Sequence, residues 1–382
     1  MADRIDKALA DAVASGEVHG IVAAAATDKG VIYQGAHGVR AVGDAQPMTL
    51  DTVMRLFSMT KAITATAAMQ LVEQGKLSLD KPIADVLPQL AKPQVLEGFD
   101  ATGKPILRPA KTPITLRQLL THTAGFGYEN WNGDLQKYMQ VTGLPGLPTG
   151  KLESLNAPLT FDPGTRWQYS ISIDWAGRAV EAASGKDLEA YFRDHIFAPL
   201  GMRDTSFRLR PDQQARRATP HARQPDGKLQ TMALVRSEEP EFLGGGGGLF
   251  GTVPDYLAFV RALLANGGGL VKPESFAEMA RNNMGDIHVE TLKSFSPAMS
   301  LDANLFPDIP QKWGLSFSIN TRATPEGRAA GSLAWAGLGN LYFWVDPVKR
   351  VAGVWGTQIL PFCDTKSVKA FQAFEKAVYD SL

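Results

Sequence analysis

Ser58-Met59-Thr60-Lys61 opens the stretch that most constrains this chain. Ala62, Ile63, Ala65, Ala68, Met69 and Val72 continue it as a broad apolar surface, and Gly75 supplies a natural stop. This spacing predicts a central buried helix from residue 58 to about 74, its N-terminus aimed at a cleft. Residues at i and i+3 share a helix face, so the Ser58 hydroxyl and the Lys61 amine point the same way. A lysine in the first turn opposes the helix dipole, whereas an alkoxide there is favoured by it. A local rule broken beside a nucleophile points to chemistry. Taken alone, the pair also fits a capping serine and a solvated lysine.

Around this helix the pattern alternates between sheet and helix. An amphipathic helix is expected over 2–15. Strands follow over 21–26 and 31–35, joined by the hairpin turn Thr27-Asp28-Lys29-Gly30. From 82 to about 240, prolines, glycines and short helical patterns dominate. Helices are expected there from 116, over 172–183 and over 186–197, with a Pro/Gly-rich loop over 143–150. A helix over 252–265 precedes strands over 314–320, 330–335, 341–345 and 351–357, and the chain ends in an amphipathic helix over 365–382. This order implies class α+β: one antiparallel sheet built from both chain ends, with helices packed on it in three layers. The expected domains are 1–81 with 250–382, and a mainly helical insertion over 82–249, with the active site between them.

The chain has 382 residues, enough for two domains or for one with a large insertion. Its 39 basic and 39 acidic residues cancel, which gives no support for nucleic-acid or anionic-membrane binding. No run is long and apolar enough to span a bilayer. Cys363 is the single cysteine, so an intramolecular disulfide is impossible. The charged N-terminal segment has no apolar h-region behind it. A cytoplasmic location and a small-molecule substrate are therefore expected, with a homo-oligomer left open.

A serine nucleophile needs a base, an oxyanion site and a pocket. Lys61 can be the base if burial lowers its pKa. Tyr169 is a second candidate. It stands after the turn Asp162-Pro163-Gly164 and just before a helix, a place where a structural tyrosine is the plainer reading. Trp335-Ala336-Gly337-Leu338-Gly339 ends a strand, and glycines inside a strand mark close backbone approach. Such an edge offers one N–H to an oxyanion and the Ser58 helix offers another. A sheet bend with a packed tryptophan is the alternative. His122 invites a Ser-His-Asp reading. His195, His221 and His288 lack metal-ligand spacing. The run from Gly244 to Gly248 lacks the context of a dinucleotide motif, and reads as backbone near the cleft or as a flexible loop. The Gly-x-Ser-x-Gly nucleophile elbow does not occur.

Taken together, the three motifs resemble those of the serine β-lactamase and penicillin-recognising fold. The likeness is nearest to the family VIII carboxylesterases, which look like class C β-lactamases. Ser58 and Lys61 match the Ser-x-x-Lys motif, Tyr169 matches the tyrosine of Tyr-x-Asn, and Trp335-Ala336-Gly337 matches the Trp-x-Gly of many of the esterases. Arg55-Leu56-Phe57, Leu119-Leu120-Thr121-His122-Thr123-Ala124-Gly125 and Pro199-Leu200-Gly201-Met202 are similar supporting phrases. The resemblance covers nearly the whole chain and implies that His122 belongs to a structural phrase. It also implies that Ser58 attacks, that Lys61 and Tyr169 form the base system, and that the N–H groups of Ser58 and Leu338 hold the oxyanion. Trp335, Ala336, Gly337 and Ile171 would line the substrate, with no metal or organic cofactor. Ile171 replaces the family's asparagine and Trp335 its lysine. Both changes remove polar recognition of a penicillin-like substrate and favour an uncharged acyl or alcohol portion. The expected activity is hydrolysis of short- to medium-chain carboxylic esters through an acyl-enzyme. The alternatives are an acyltransferase using the same intermediate, a β-lactamase, a D-amino-acid amidase or peptidase, and a catalytically silent binding protein. Retention of all three motif anchors speaks against the last.

Overall fold

The computed structural model describes residues 2–234 and 236–382. Helix α1 (Ala2–Ala14) buries Ile5, Leu9 and Ala12, the stripe that a 3.6-residue period places on one side. Strands β1 (Gly20–Thr27) and β2 (Gly30–Gly38) form the expected antiparallel hairpin. The other sheet strands come from the far end of the chain: β3 (Gln311–Trp313), β4 (Ser318–Asn320), β5 (Leu333–Gly337), β6 (Leu341–Asp346) and β7 (Val351–Gly356). The seven are ordered β2-β1-β7-β6-β5-β4-β3, and every neighbouring pair is antiparallel. Val22 lies opposite Gly356 and Thr27 opposite Val351, so the two chain ends meet in the middle of one sheet.

Strand β1 explains the layering. Its side chains alternate between faces. Ile21, Ala23 and Ala25 join a core with Ile5 and Leu9 of α1 and with Phe371 and Phe374 of the C-terminal helix. Val22, Ala24 and Ala26 join the other core, which contains the central helix α2 (Thr60–Glu73). With both faces covered, the strand reads as continuous apolar sequence rather than as an alternation. Residues Thr60 to Leu71 of α2 are all buried. Helix α3 (Ser172–Ser184) packs against α2, helix α4 (Val253–Leu264) against β1, β6 and β7, and helix α5 (Thr365–Tyr379) against α1 and β7.

Several local expectations change. Of the strand expected over 314–320, only 318–320 is strand (β4); 314–317 is a tight turn after β3, closed by the Gly314 N–H on the Phe317 carbonyl at 2.8 Å, with Ser316 at φ 69°. The region 82–249 carries strands as well as helices. Gln94–Phe99 pairs with Pro105–Pro109, and His221–Arg223 pairs with Leu229–Thr231. A helix over Gly133–Thr142 also lies there, capped by Asn132 and stopped by left-handed Gly143. Around 186–197, α-helix over Leu188–Phe192 passes into a π-helical turn over Arg193–Phe197.

Candidate active site

Ser58 sits two residues before the α-helix starts. It lies in a 3₁₀ turn over Phe57–Met59, and α2 begins at Thr60. Phe57, just before the nucleophile, has φ 48°, a left-handed conformation that non-glycine residues rarely take. The tightened turn still leaves Lys61 beneath the serine, with Nζ 3.2 Å from Ser58 Oγ.

Lys61 is 1% exposed. Its Nζ also donates to the Gly246 carbonyl at 2.6 Å and meets the Tyr128 hydroxyl at 3.0 Å. Burial pulls its pKa down to about 7 against the opposing pull of the Asp174 charge. A carbonyl can only accept, so Gly246 takes one N–H from Lys61 in either protonation state. In the neutral amine Tyr128 can take the other N–H, and the lone pair is left for the Ser58 proton.

Asp174 and the glycine run were not singled out together by the sequence, yet they build this chamber. Asp174, in the first turn of α3, is 3% exposed. Its Oδ1 accepts the Gly246 N–H at 2.9 Å, and its Oδ2 has no hydrogen-bond partner among the described residues. Burial raises its pKa and Lys61 opposes that rise. A Cβ on Gly246 would lie 2.5 Å from Asp174 Oδ2, so a side chain there would push the carboxylate away. The neighbouring Gly245 carbonyl accepts Thr64 Oγ1 at 2.7 Å. The run is thus a packed segment of the cleft, not a free loop. Tyr128 is the other residue missed. Nothing local marks it beyond an aromatic residue in a glycine-rich turn.

Tyr169 is 2% exposed, ahead of α3. Its ring stands 4.7 Å from Lys61 Nζ and among the rings of His122, Tyr128, Trp131 and Trp335. Trp335 Nε1 donates to the Tyr169 hydroxyl at 2.9 Å. Burial raises the phenol pKa, while the Ser58 and Trp335 hydrogen bonds act the other way. His122 lies behind this ring. Its Nδ1 accepts the Ser170 N–H at 3.2 Å, and burial holds it neutral.

Ser58, Tyr128, Tyr169, Asp174, Gly246 and Leu338 all border one cavity of about 450 Å³. The residues expected at the substrate fare differently. Trp335 orients Tyr169 and lines a separate cavity of about 270 Å³. Ile171 is buried in the core with Ile173 and Trp175, and Ala336 is buried among Trp313 and Tyr342. Gly337 serves the backbone: a Cβ there would lie 2.5 Å from the Leu56 carbonyl, so its hydrogen lets β5 approach the serine turn. None of these four walls the Ser58 cavity. Among the described residues no His, Cys, Asp and Glu cluster could hold a metal ion. No helix among them is long and apolar enough to cross a membrane.

The family model described as Beta-lactamase matches residues 5–373. The chain belongs to the beta-lactamase family. A lovastatin esterase of Penicillium rubens is 32% identical over 393 aligned residues, covering 98% of both chains. A monacolin J acid methylbutanoyltransferase of Aspergillus terreus is 32% identical, covering 98% of this chain and 95% of that relative. Among solved structures, a mutant simvastatin synthase of Aspergillus terreus matches with a TM-score of 0.88 at 32% identity, over 99% of this chain and 96% of that one. This member of the beta-lactamase family is an enzyme of the serine hydrolase type, and the silent binding-protein alternative falls away.

Proposed function

We propose that this enzyme is a serine acyltransferase that also hydrolyses esters: it lifts an acyl group onto Ser58 and passes it to an alcohol, with water as the competing acceptor. The relatives named as methylbutanoyltransferases favour this reading over the plain carboxylesterase expected from the motifs. The observation that carries it is the buried Lys61 amine, drawn down to about 7 and held 3.2 Å from Ser58 Oγ.

Neutral Lys61 takes the Ser58 proton as Oγ attacks the ester carbonyl. The N–H groups of Ser58 and Leu338 hold the oxyanion. Tyr169, kept a phenol by burial, gives its proton to the leaving oxygen and recovers one from the lysine side. An alcohol then enters where the first left and the steps run in reverse. Lys61 is the resting base here and Tyr169 the acid, because one group is pushed toward neutrality at neutral pH and the other is held protonated.

The test is product analysis with 4-nitrophenyl butyrate and rising butanol. Butyl butyrate should grow at the expense of butyric acid, and Ser58→Ala should lower both by orders of magnitude. Acid alone at every butanol concentration returns the reading to a plain esterase. Both products from folded Ser58→Ala enzyme would sink the mechanism.

A further inference from the structure

Beside the Ser58 cavity lies a second one of about 840 Å³, and Arg55, Met232, Leu234, Arg236 and Pro240 border both. Four arginines line the second cavity: Arg55, Arg208, Arg217 and Arg236. Glu238 is the one carboxylate on its wall among the described residues. Many arginines elsewhere pair with acids, as Arg108 does with Asp162, Arg117 with Asp80 and Arg216 with Asp204. Among the described residues none of the four forms such a pair.

What they do instead leaves them open to an anion. Arg55 Nε is buried without a hydrogen-bond partner among the described residues. Burial, then the like charges of Arg236 and Arg217, draw its pKa down to about 10, so it remains a cation at neutral pH. Arg236 donates to two backbone carbonyls, Phe207 at 3.2 Å and Gly248 at 3.4 Å, and lies over the Phe250 ring. Glu189, whose charge also reaches Arg236, engages the Phe207 N–H at 2.7 Å. Guanidinium groups stay charged and present planar forks that match carboxylate and phosphate. Gathering four with one acid on the wall costs free energy that a bound anion relieves.

Position decides what carries the anion. Arg55 stands three residues before Ser58, so a molecule can reach from one cavity to the other. The Ser58 cavity is walled by apolar groups such as Trp131, Leu147, Phe242 and Met299, which suit an uncharged acyl chain. The charged group therefore belongs on the molecule exchanged at the acyl-enzyme. We propose that the arginine-lined cavity is a subsite for a carboxylate or phosphate group on the acyl acceptor. The word acceptor rests on the transferase reading, whereas the anion subsite itself does not. The expectation of an uncharged substrate, drawn from the missing third-motif lysine, is then reversed for the acceptor: positive charge has moved to another wall.

Three alcohols of one chain length test this: an ω-hydroxy carboxylate, its methyl ester, and an ω-hydroxyalkyl phosphate, each offered with 4-nitrophenyl butyrate as donor. At least one charged alcohol should receive the acyl group with a kcat/KM about tenfold or more above the methyl ester, the size of one charge-assisted fork. The better of the two names the anion. Arg236→Gln, and Arg217→Gln at an exposed position, should each cut that preference several-fold. Equal rates for charged and neutral alcohols, or a preference that survives both substitutions, overturn the subsite. If no alcohol is acylated, the transferase reading fails and inhibition of butyrate ester hydrolysis decides. Competitive inhibition by a charged alcohol, stronger than by the methyl ester and weakened in both variants, upholds the subsite. Its absence overturns it.

Discussion

At Lys61 two effects oppose each other. Burial favours the neutral amine and the Asp174 carboxylate favours the ammonium; burial is the larger, and the group titrates at about 7. A base must be neutral to accept a proton, so activity is present above this pKa and is lost as pH falls through about 7. Asp174→Asn removes the charge that favours the ammonium. It should therefore move the acid limb of the kcat/KM profile for a neutral ester to lower pH, while the asparagine oxygen still accepts the Gly246 N–H. A limb that stays in place or moves upward contradicts this positioning role. Ser58 and Lys61 were legible because i, i+3 spacing is local. Tyr128, 67 residues from Lys61, and Asp174 were not, because only the folded chain brings them to the amine. The signals present were an acid in the first turn of an apolar helix and a glycine run with no side chains to fill the space beside it.

Among the elements, the decisive meeting is that of β5 with the serine turn. The Gly337 position leaves 2.5 Å between an ideal Cβ and the Leu56 carbonyl, a backbone atom that cannot swing aside. Gly337→Ala should cost about 1–3 kcal/mol in urea unfolding, as overpacking does, and should lower kcat/KM by displacing Leu338 from the cavity. Unchanged stability together with unchanged kinetics would contradict the close approach. The glycine was readable as a point of backbone contact, but the direction of Trp335 was not. Both faces of this sheet are covered, so strand alternation marks two sides without saying which one meets substrate. The 3₁₀ turn at Phe57–Met59 was hidden for another reason. Its left-handed φ falls on a phenylalanine, a residue that gives no warning of it.

Across the whole molecule, the architecture was legible because the two halves of the sheet carry clear strand runs at the chain ends and helices between them. The hairpin over 94–109 was hidden by the prolines that bound its second strand, which read as loop. Overall neutrality also hid the local charge beside Ser58, since a balanced total says nothing of where arginines gather. One distant contact ties the C-terminal helix to the segment that leads into β5. Arg328, 2% exposed, pairs with Glu375 of α5, 0% exposed, with one bond at 2.7 Å. Glu375→Gln leaves a buried guanidinium without its counter-charge. It should cost about 3–5 kcal/mol in chemical denaturation, as breaking a buried pair does. A loss below about 1 kcal/mol would show that water or another acid takes over the pairing.

The central claim is that an acyl group resides on Ser58, and intact-mass analysis of enzyme quenched during turnover of 4-nitrophenyl butyrate measures it directly. A mass gain of one butyryl group, mapped by peptide fragmentation to Ser58 and absent from Ser58→Ala, is the predicted result. Turnover with no covalent adduct under quench conditions that preserve an acyl-serine standard, or an adduct mapped to another residue, would contradict it.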